Sequence, residues 1–497
     1  MASSRKSSRS DPPFIPPLKK GGTQQAGIPP LPRGDAKRGG FAARVAVQLK
    51  SIVKPSDRLL VGLSGGVDSI ALLDSLLRVR RSLRFRLSAL HVNHQLSPNA
   101  GRWAAFCKTF CRQRGVPFKS VKVRVARGGS VEAAARAARY AAYASEPADY
   151  VLLAQHQDDQ AETVLLQLLR GAGVKGLAAM PLLRREERGV RSKEKNPNNQ
   201  SRAPHSSPLT PHILRPLLDA TREEILAYAR KRKLKWIEDE SNSNTYFQRN
   251  FLRHEVLPVV ARRFPGYRGT LARSARHLAE AARVLDEVAA ADGADQMEDG
   301  TLAVEALRRL PAARARNLLR YFLSLCGVSM PGAERLDEAL RQALTAKEDA
   351  RVLVGLGGVE LRRFEGRLHA VAQLAAPRPG YARRWRGEKK VALPELGGVL
   401  AMERARGAGV SLARLRAGPV TIRVRRGGER LQPDARRPRR SLKNLLQEAR
   451  VPPWQRERLP LIFCGGELVW AAGIGVDCAY SSAHDEAALR PQWNPSA

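Results

Sequence analysis

Apolar runs and segments with helical spacing alternate between residues 57 and 170. Four short apolar runs have the length and composition of strands: 59–63, 87–94, 118–125 and 150–154. Segments in which apolar residues recur every three to four positions follow them, at 70–77, 102–114, 131–145 and 159–170. This alternation predicts an α/β fold with a doubly wound parallel sheet, in which ligands bind beyond the carboxyl ends of the strands.

The predicted secondary structure of the rest of the chain divides it into three further regions. A helical pattern at 217–290 predicts a helical extension or linker, and helices followed by short strands at 291–376 predict an α+β domain. Within it, we expect one helix over 306–326 and another over 333–346. A Pro- and Gly-containing linker at 377–380 precedes a small α+β domain at 381–490, which we expect to be strand-rich and then helical. The α/β domain itself is predicted over 43–216.

Two stretches lack any periodic pattern. Residues 1–42 are rich in Pro, Gly, Ser and basic residues and predict a disordered basic tail; four prolines between 12 and 17 argue against the alternative, an amphipathic transit peptide. Residues 184–211 are polar throughout and predict a low-complexity surface insertion. No run of 18 apolar residues occurs, so we expect no membrane span and a cytoplasmic protein.

Charge and cysteine content narrow the class of partner. The chain has 86 Lys and Arg against 47 Asp and Glu, a formal net charge of +39, which suits a polyanion such as RNA. A general bias toward Arg is the alternative explanation. The five cysteines form no CxxC pair, which indicates neither a disulfide framework nor a zinc site.

The segment SGGVDS, residues 64–69, joins the first strand to the first helix. Gly65 and Gly66 let the backbone approach an anion closely, and the helix presents the positive end of its dipole to the same point. The hydroxyls of Ser64 and Ser69 add donors. Asp68 would repel a phosphate directly but could hold a bridging Mg2+ ion. The spacing is not that of a Walker A loop, and an ordinary tight strand-to-helix turn is the alternative.

Polar residues also follow the other strands of the predicted sheet. His91 and His94 end the second strand, and Arg136 and Arg139 lie at i, i+3 on the helix after the third. The fourth strand is followed by QHQDDQAET, residues 155–163, in which three carboxylates begin a helix: Asp158, Asp159 and Glu162. A helix dipole explains one or two acidic residues there, but not three beside a histidine. They could bind a metal or an incoming amine, and His156 could transfer a proton.

SGGVDS resembles the pyrophosphate (PP) loop of the N-type ATP pyrophosphatases, a superfamily whose members adenylate their substrates. The combination with four further segments resembles one family within it, the tRNA(Ile)-lysidine synthetases, also called synthases. Those segments are LHVNHQLS (90–97), EAAARAARYAA (132–142), AQHQDDQAETVLLQLLRGAGVKGLAAM (154–180) and IEDESNSNTYFQRNFLRHEVLP (237–258). The region 425–463 resembles that family's C-terminal domain, so the likeness covers most of residues 45–480. Many members have a second histidine where this chain has Gln155.

The resemblance implies a two-step ligase. ATP would adenylate O2 of the wobble cytidine, position 34, of an isoleucine tRNA with a CAU anticodon, and the ε-amino group of free L-lysine would then displace AMP from C2 to form lysidine. ATP and Mg2+ are the implied cofactors, and tRNA and lysine the partners. A homodimer is a further expectation. Another adenylating enzyme of the superfamily, a tRNA thiolase or a small-molecule amidoligase, is the alternative, and an RNA-binding protein with an inactive loop a weaker one.

These considerations assign roles to particular residues. We predict catalytic roles for Asp68, Asp159, Glu162 and His156, and metal binding by Asp68 and Asp158. The nucleotide-binding residues are predicted to be Ser64, Gly65, Gly66, Val67, Asp68, Ser69 and His91. The tRNA-binding residues of the α/β domain and helical extension are predicted to be Arg136, Arg139, Arg249 and Arg253. Those of the Arg-rich C-terminal domain are predicted to be Arg436, Arg437, Arg439, Arg440 and Lys443.

Overall fold

The computed structural model describes residues 40–125, 131–184, 211–238, 240, 245–298, 300–346, 353–373 and 375–495. The predicted basic tail and low-complexity insertion lie almost entirely outside these ranges, although the first helix already begins at Phe41. Contacts divide the described chain into two compact units, one ending at residue 279 and the other beginning at residue 280. None of the helices in the described ranges is long and apolar enough to cross a membrane.

The first unit is built on a six-stranded sheet. Its strands are β1 (Arg58–Gly62), β2 (Arg86–Asn93), β3 (Phe118–Lys122), β4 (Tyr150–Leu152), β5 (Leu183–Arg184) and β6 (His212–Leu214). They lie in the order β3-β2-β1-β4-β6-β5, and every pairing is parallel except that of β5 with β6. The four strands predicted from the sequence therefore form a parallel sheet, which β6 continues and β5 closes with an antiparallel edge.

Helices connect and cover these strands. They are α1 (Phe41–Lys50), α2 (Val67–Leu83), α3 (Ala100–Arg112), α4 (Val131–Ala144), α5 (Gln157–Leu169), α6 (Val174–Leu177) and α7 (Arg222–Lys231). The core contains side chains of β1 and α2 that are shielded from solvent, among them Leu59, Val61 and Leu72. At about 25 cal/mol per Å² of apolar surface, this burial is the main force holding α2 on the sheet. It fixes the loop between β1 and α2, because that loop is only four residues long.

Further helices follow in the same unit. They are α8 (Gln248–Phe251), a π-helical turn (Leu252–Val256), α9 (Leu257–Arg263) and α10 (Tyr267–Asp292), whose last turns belong to the second unit. Leu257 and Tyr267 pack on Ala161 of α5 in a small separate core. This contact brings the basic residues near α8 and the start of α10 onto the helix that carries the predicted carboxylates.

The second unit begins with a five-stranded antiparallel sheet packed on helices. Its elements are β7 (Met297–Glu298), β8 (Thr301–Ala303), α11 (Val304–Arg308), α12 (Ala312–Leu325), α13 (Ala333–Thr345), β9 (Leu353–Gly355), β10 (Val359–Phe364) and β11 (Arg367–Ala372). The prediction of a single helix over 306–326 is wrong, because two helices, α11 and α12, occupy this region. Pro311 separates α11 from α12, because proline lacks an N–H and disfavours helical backbone in the residue before it.

The remainder is mostly antiparallel sheet. Its strands are β12 (Ala382–Arg384), β13 (Lys390–Leu393), β14 (Gly398–Arg406), β15 (Val410–Ser411), β16 (Val420–Arg423), β17 (Arg430–Leu431), β18 (Arg440–Ser441), β19 (Leu461–Cys464), β20 (Glu467–Ala471), β21 (Gly475–Val476) and β22 (Ala487–Pro495). The helices are α14 (Leu412–Leu415), α15 (Leu442–Glu448) and α16 (Pro453–Arg456). The expected helical ending is wrong: four strands follow α16, and β22 pairs with β14 along nine residues.

Candidate active site

The loop after β1 is closed by its own side chains. The Ser69 hydroxyl donates to the Gly66 carbonyl at 3.0 Å and accepts from the Gly65 N–H at 3.2 Å. The Ser64 hydroxyl lies 3.1 Å from that of Ser69 and accepts from the Gly66 N–H at 3.3 Å. These contacts hold the loop in a tight curve at the start of α2. An arriving phosphate would meet these hydroxyls beside the N-terminus of α2, and the Gly65 and Gly66 N–H groups would exchange their serine acceptors for phosphate oxygens.

Gly65 is required for two reasons. Its φ of +95° lies in a region that side chains rarely adopt, and a Cβ there would come within 2.8 Å of Ile237 Cδ1. Ile237 also donates its N–H to the Gly65 carbonyl at 2.9 Å. The glycine therefore admits a neighbouring chain segment, which the sequence prediction of close anion approach did not include.

His91 lies behind the loop. Its side chain is buried, and Nδ1 lies 2.9 Å from the Leu63 carbonyl, so the Nδ1–H donates to that oxygen. Burial lowers the pKa of His91, which keeps the imidazole neutral. The Sγ of buried Cys107 is 3.8 Å from the same nitrogen, and burial raises the pKa of this thiol to about 12. His91 thus supports the loop, and Cys107 is an unreactive packing residue.

The start of α5 faces this loop because β4 lies beside β1 in the sheet. The chain runs from β1 to β2 and β3 on one side and returns to β4 on the other. A reversal of strand order of this kind leaves a crevice between two strand ends, the usual ligand site of such sheets. The loop at 64–69 and the segment at 155–163 line the two sides of this crevice.

His156 lies among three carboxylates in the crevice. Its ring nitrogens are 3.7 Å from Asp68, 3.6 Å from Asp158 and 3.5 Å from Asp159. Burial works against a charged imidazole, but the three carboxylates outweigh it and raise the pKa of His156. The carboxylates therefore favour the protonated ring, whose positive charge offsets part of theirs.

Asp68 is the carboxylate at the start of α2, and among the described residues its one ion-pair partner is His156, with Nε2 3.7 Å from Oδ1. Its Oδ1 is buried and has no hydrogen-bond partner within the described part of the chain. Burial raises the pKa of Asp68, Asp159 adds to the rise, and His156 opposes it. A buried carboxylate oxygen without a donor fits a divalent cation, which would stabilise the ionised form.

Asp158, unlike Asp68, has both carboxylate oxygens in hydrogen bonds to other parts of the protein. Its Oδ1 accepts from Arg268 Nε at 2.5 Å, and its Oδ2 accepts from the Arg222 N–H at 3.1 Å. Burial opposes ionisation, but His156, the Arg222 N–H and Arg268 together lower the pKa of Asp158. With both oxygens bonded to α7 and α10, Asp158 ties these helices to α5. This geometry argues against the metal-binding role predicted from the sequence.

Arg253 binds the other two carboxylates of α5. Its Nε and Nη2 donate to Glu162 at 2.6 and 3.0 Å, and Nη2 donates to Asp159 at 3.2 Å. Burial raises the pKa of Glu162, which is 1 % exposed, although Arg253 opposes the rise. Arg253, predicted to bind tRNA, is therefore engaged inside the site. Its donors come from a π-helical turn, a distortion common at functional sites.

A cavity of about 910 Å³ occupies the crevice. Its lining includes Ser64, Asp68, Ser69, His91 and Asp159 but neither Asp158 nor Glu162. Protein pockets that bind small molecules hold roughly 300–1,000 Å³, so this one is at the large end. It has room for more than one reactant beside the loop.

Basic residues border the same cavity. Arg139 and Arg249 line it, whereas Arg136 does not and instead donates to the Tyr140 hydroxyl at 3.2 Å. Arg139 donates to His94 Nε2 at 3.4 Å. Burial, together with Arg139, lowers the pKa of His94 to about 4, so this imidazole is a neutral acceptor.

Comparison with known proteins decides the family. Residues 41–260 match the model of a PP-loop domain, 302–369 that of a TilS substrate binding domain and 420–493 that of a TilS substrate C-terminal domain. A tRNA(Ile)-lysidine synthase of Nitrosomonas europaea is 44% identical over 90% of this chain and 94% of its own. One of Azoarcus sp. is 39% identical over 89% of this chain and 93% of its own. The chain belongs to the tRNA(Ile)-lysidine synthase family.

Membership confirms the family and fold class predicted from the sequence. The PP-loop domain is the α/β unit with the parallel sheet, and it implies that this ligase uses ATP. The matches favour neither a thiolase nor an amidoligase over the lysidine synthase family. The inactive-loop alternative also loses support, because the loop hydroxyls and Asp68 are intact and face a cavity.

The C-terminal arginines differ in their surroundings. Arg439 donates at 2.9 Å to Asp477, whose carboxylate is fully buried, and Arg440 forms two hydrogen bonds with Glu448. Arg436 and Lys443 are exposed and form no ion pair within the described ranges, whereas exposed Arg437 lies 3.8 Å from Asp434. The TilS substrate C-terminal domain of this family member thus uses Arg439 for structure, which makes it a poor candidate for tRNA binding.

We expect Arg439→Ala to destabilise this domain by about 1–3 kcal/mol, because it leaves a buried carboxylate without its charged partner. Urea unfolding followed by tryptophan fluorescence measures the loss. Arg436→Ala serves as the matched control, and its free energy of unfolding should change by no more than about 0.5 kcal/mol. Equal stability of the two variants would contradict the structural role of Arg439.

Several site residues were not anticipated from the sequence. Arg268 and Arg222 hold Asp158, and Gln155 accepts at 3.0 Å from Nε of the buried Arg215. Phe247 lines the cavity. Arg215, Arg222 and Arg268 lie outside the quoted segments that resemble the family, whereas Gln155 and Phe247 lie inside them.

Proposed function

We propose that this enzyme joins free L-lysine to C2 of the wobble cytidine of tRNA(Ile) with a CAU anticodon, through an adenylated tRNA intermediate. One observation carries the proposal: a phosphate-binding loop and a carboxylate-rich helix start face each other across a single large cavity. The loop suits the activation step and the carboxylates suit the attack of an amine. The substrate name comes from the relatives, which are tRNA(Ile)-lysidine synthases.

In the activation step, cytidine O2 attacks the α-phosphate of ATP and pyrophosphate leaves. The leaving phosphates would be held at the N-terminus of α2 by the hydroxyls of Ser64 and Ser69 and by the N–H groups of Gly65 and Gly66. Donors that are already placed around the leaving group stabilise its developing charge. Asp68 would hold a Mg2+ ion, which when bound neutralises phosphate charge. His156, protonated among its carboxylates, would add positive charge beside the leaving group.

In the second step, the lysine ε-amino group attacks C2 and AMP leaves. The amine must lose a proton, and Asp159 is the carboxylate of α5 that lines the cavity. Glu162 does not line it. Both carboxylates are hydrogen-bonded, Glu162 to Arg253 through both oxygens and Asp159 to Arg253 and the His156 backbone N–H, so access to the cavity is what separates them. We therefore assign orientation and proton acceptance to Asp159, and assign to Glu162 the positioning of Arg253 and, through it, of Asp159.

Incubation with unmodified tRNA(Ile) transcript, ATP, Mg2+ and labelled lysine tests the proposal. Label should enter the tRNA only when ATP is present, with one AMP released for each lysine incorporated. A methionine tRNA with the same anticodon provides the specificity control. Failure to label tRNA(Ile), while ATP is consumed with another nucleophile, would contradict the proposed reaction.

Exposed arginines of the C-terminal domain should contribute phosphate contacts. Arg436→Ala combined with Arg437→Ala is expected to weaken tRNA binding and flatten its salt dependence by roughly 0.7–0.9 log units per lost contact. Filter binding at several salt concentrations measures the slope. Arg81→Ala, which removes an exposed charge near the opposite end of α2 from the loop, is the control. An unchanged slope in the double variant would place the RNA elsewhere.

A further inference from the structure

Exposed apolar side chains border the solvent-facing part of the cavity. Phe247 is 38% exposed, Val131 51% and Leu96 61%, and all three line the cavity. The residues nearer the phosphate loop, such as His91 and Ser69, are buried. Exposed apolar groups at the opening of a polar site lose contact with water only when a ligand covers them, so they indicate a binding surface.

Phe247 is anchored by the helix that follows it. It immediately precedes α8, whose Phe251 N–H donates to the Phe247 carbonyl at 2.9 Å. Tyr246 packs against the Phe247 ring edge to face, with centroids 6.2 Å apart. The ring is thus an exposed aromatic surface that lines the cavity, two residues before Arg249, which also lines it.

We propose that Phe247 is the stacking residue that receives the wobble cytosine when it leaves the anticodon stack. The inference rests on the proposed function and names the group that positions its RNA substrate. A target base must be unstacked to enter an enclosed site, and proteins commonly receive splayed bases on aromatic rings beside arginines. Arg139 and Arg249 line the same cavity and suit the adjoining phosphates.

The position of the ring favours an RNA base over the adenine of ATP. Gly65, Val67 and Ser69 of the phosphate loop are buried, although Ser64 is exposed, whereas Phe247 and the other exposed apolar lining residues face solvent. A nucleotide that belongs to a long polymer must enter from the solvent side. Stacking of the adenine ring on Phe247 is the competing assignment, and the experiment below separates the two.

A double-mutant cycle in RNA binding provides the test. The full-length protein and its Phe247→Ala variant are each titrated with the tRNA(Ile) anticodon stem-loop, and with the same RNA lacking the wobble base. Removing an aromatic ring on which a base stacks typically lowers the affinity for the nucleic acid by about 5- to 150-fold. We expect a loss in this range for the intact RNA, and less than about twofold for the abasic RNA.

Controls distinguish stacking from folding and from loss of the whole function. Phe264→Ala removes a phenylalanine that is 64% exposed but does not line the cavity, and should bind both RNAs like the parent. Phe247→Tyr should restore binding, and Phe247→Leu should not. An equal loss for both RNAs, or a raised KM for ATP with RNA binding unchanged, would overturn the proposal. None of these measurements requires lysine transfer, so failure of the proposed reaction would be visible separately.

Discussion

Replacing Asp68 by Asn should remove ATP turnover and leave tRNA binding nearly intact. Asp68 is the cavity-lining carboxylate at the start of α2, and its buried Oδ1 receives no hydrogen bond within the described residues. An amide keeps the shape but cannot supply the negative charge that a bridging cation needs. Losing one fixed group that stabilises transition-state charge commonly costs 10²–10³-fold, and we expect at least about that loss in pyrophosphate release.

The measurement is pyrophosphate release with tRNA(Ile) and saturating lysine, accompanied by a tRNA binding titration. Asp74→Asn is the matched control, since Asp74 lies on the same helix but accepts hydrogen bonds from Tyr228 and Arg232. That variant should lose stability while keeping turnover when folded. Equal losses of turnover and tRNA binding in Asp68→Asn would show that Asp68 acts on the fold or the RNA rather than on ATP.

The features predicted correctly from the sequence are local or periodic. SGGVDS needs only a strand, two glycines and a helix start within a few residues, so its position at a strand end follows from neighbouring positions. The alternation of strands and helices between 57 and 170 predicts a parallel sheet, which then brings residues 64–69 and 155–163 to the same edge. Membership in the family and the parallel sheet confirm this part.

The different roles of the three carboxylates of α5 could not be predicted in this way. Helical spacing treats Asp158, Asp159 and Glu162 alike, because all lie in the first two turns of α5. Their partners lie far away in sequence: Arg268 is 110 residues from Asp158, and Arg253 is 91 residues from Glu162. Which carboxylate remains accessible is decided by those tertiary contacts. Arg439 illustrates the same difficulty, because nothing in an Arg-rich run indicates that one member pairs with a buried aspartate.

Replacing Asp159 by Asn should separate the two proposed steps. The Asn side-chain oxygen can still accept the bond from the His156 backbone N–H that Asp159 now accepts at 3.0 Å, so the start of α5 should keep its structure, whereas the bond from Arg253 Nη2 at 3.2 Å is lost. The Asn side chain cannot accept a proton from the lysine ε-amino group. Removing a proton-accepting group typically costs 10²–10⁴-fold. We expect lysine incorporation to fall by about that factor while formation of the adenylated tRNA changes little.

Two assays on one variant resolve this difference. Pyrophosphate release without lysine reports adenylation, and labelled lysine in tRNA reports the second step. Glu162→Gln is the informative comparison, because Glu162 reaches the site only through Arg253. Its effect should resemble that of Arg253→Gln and be smaller in the second step than that of Asp159→Asn. If Glu162→Gln alone abolished lysine transfer and Asp159→Asn did not, Glu162 would be the proton acceptor, and Arg253 would have to release it when the substrates bind.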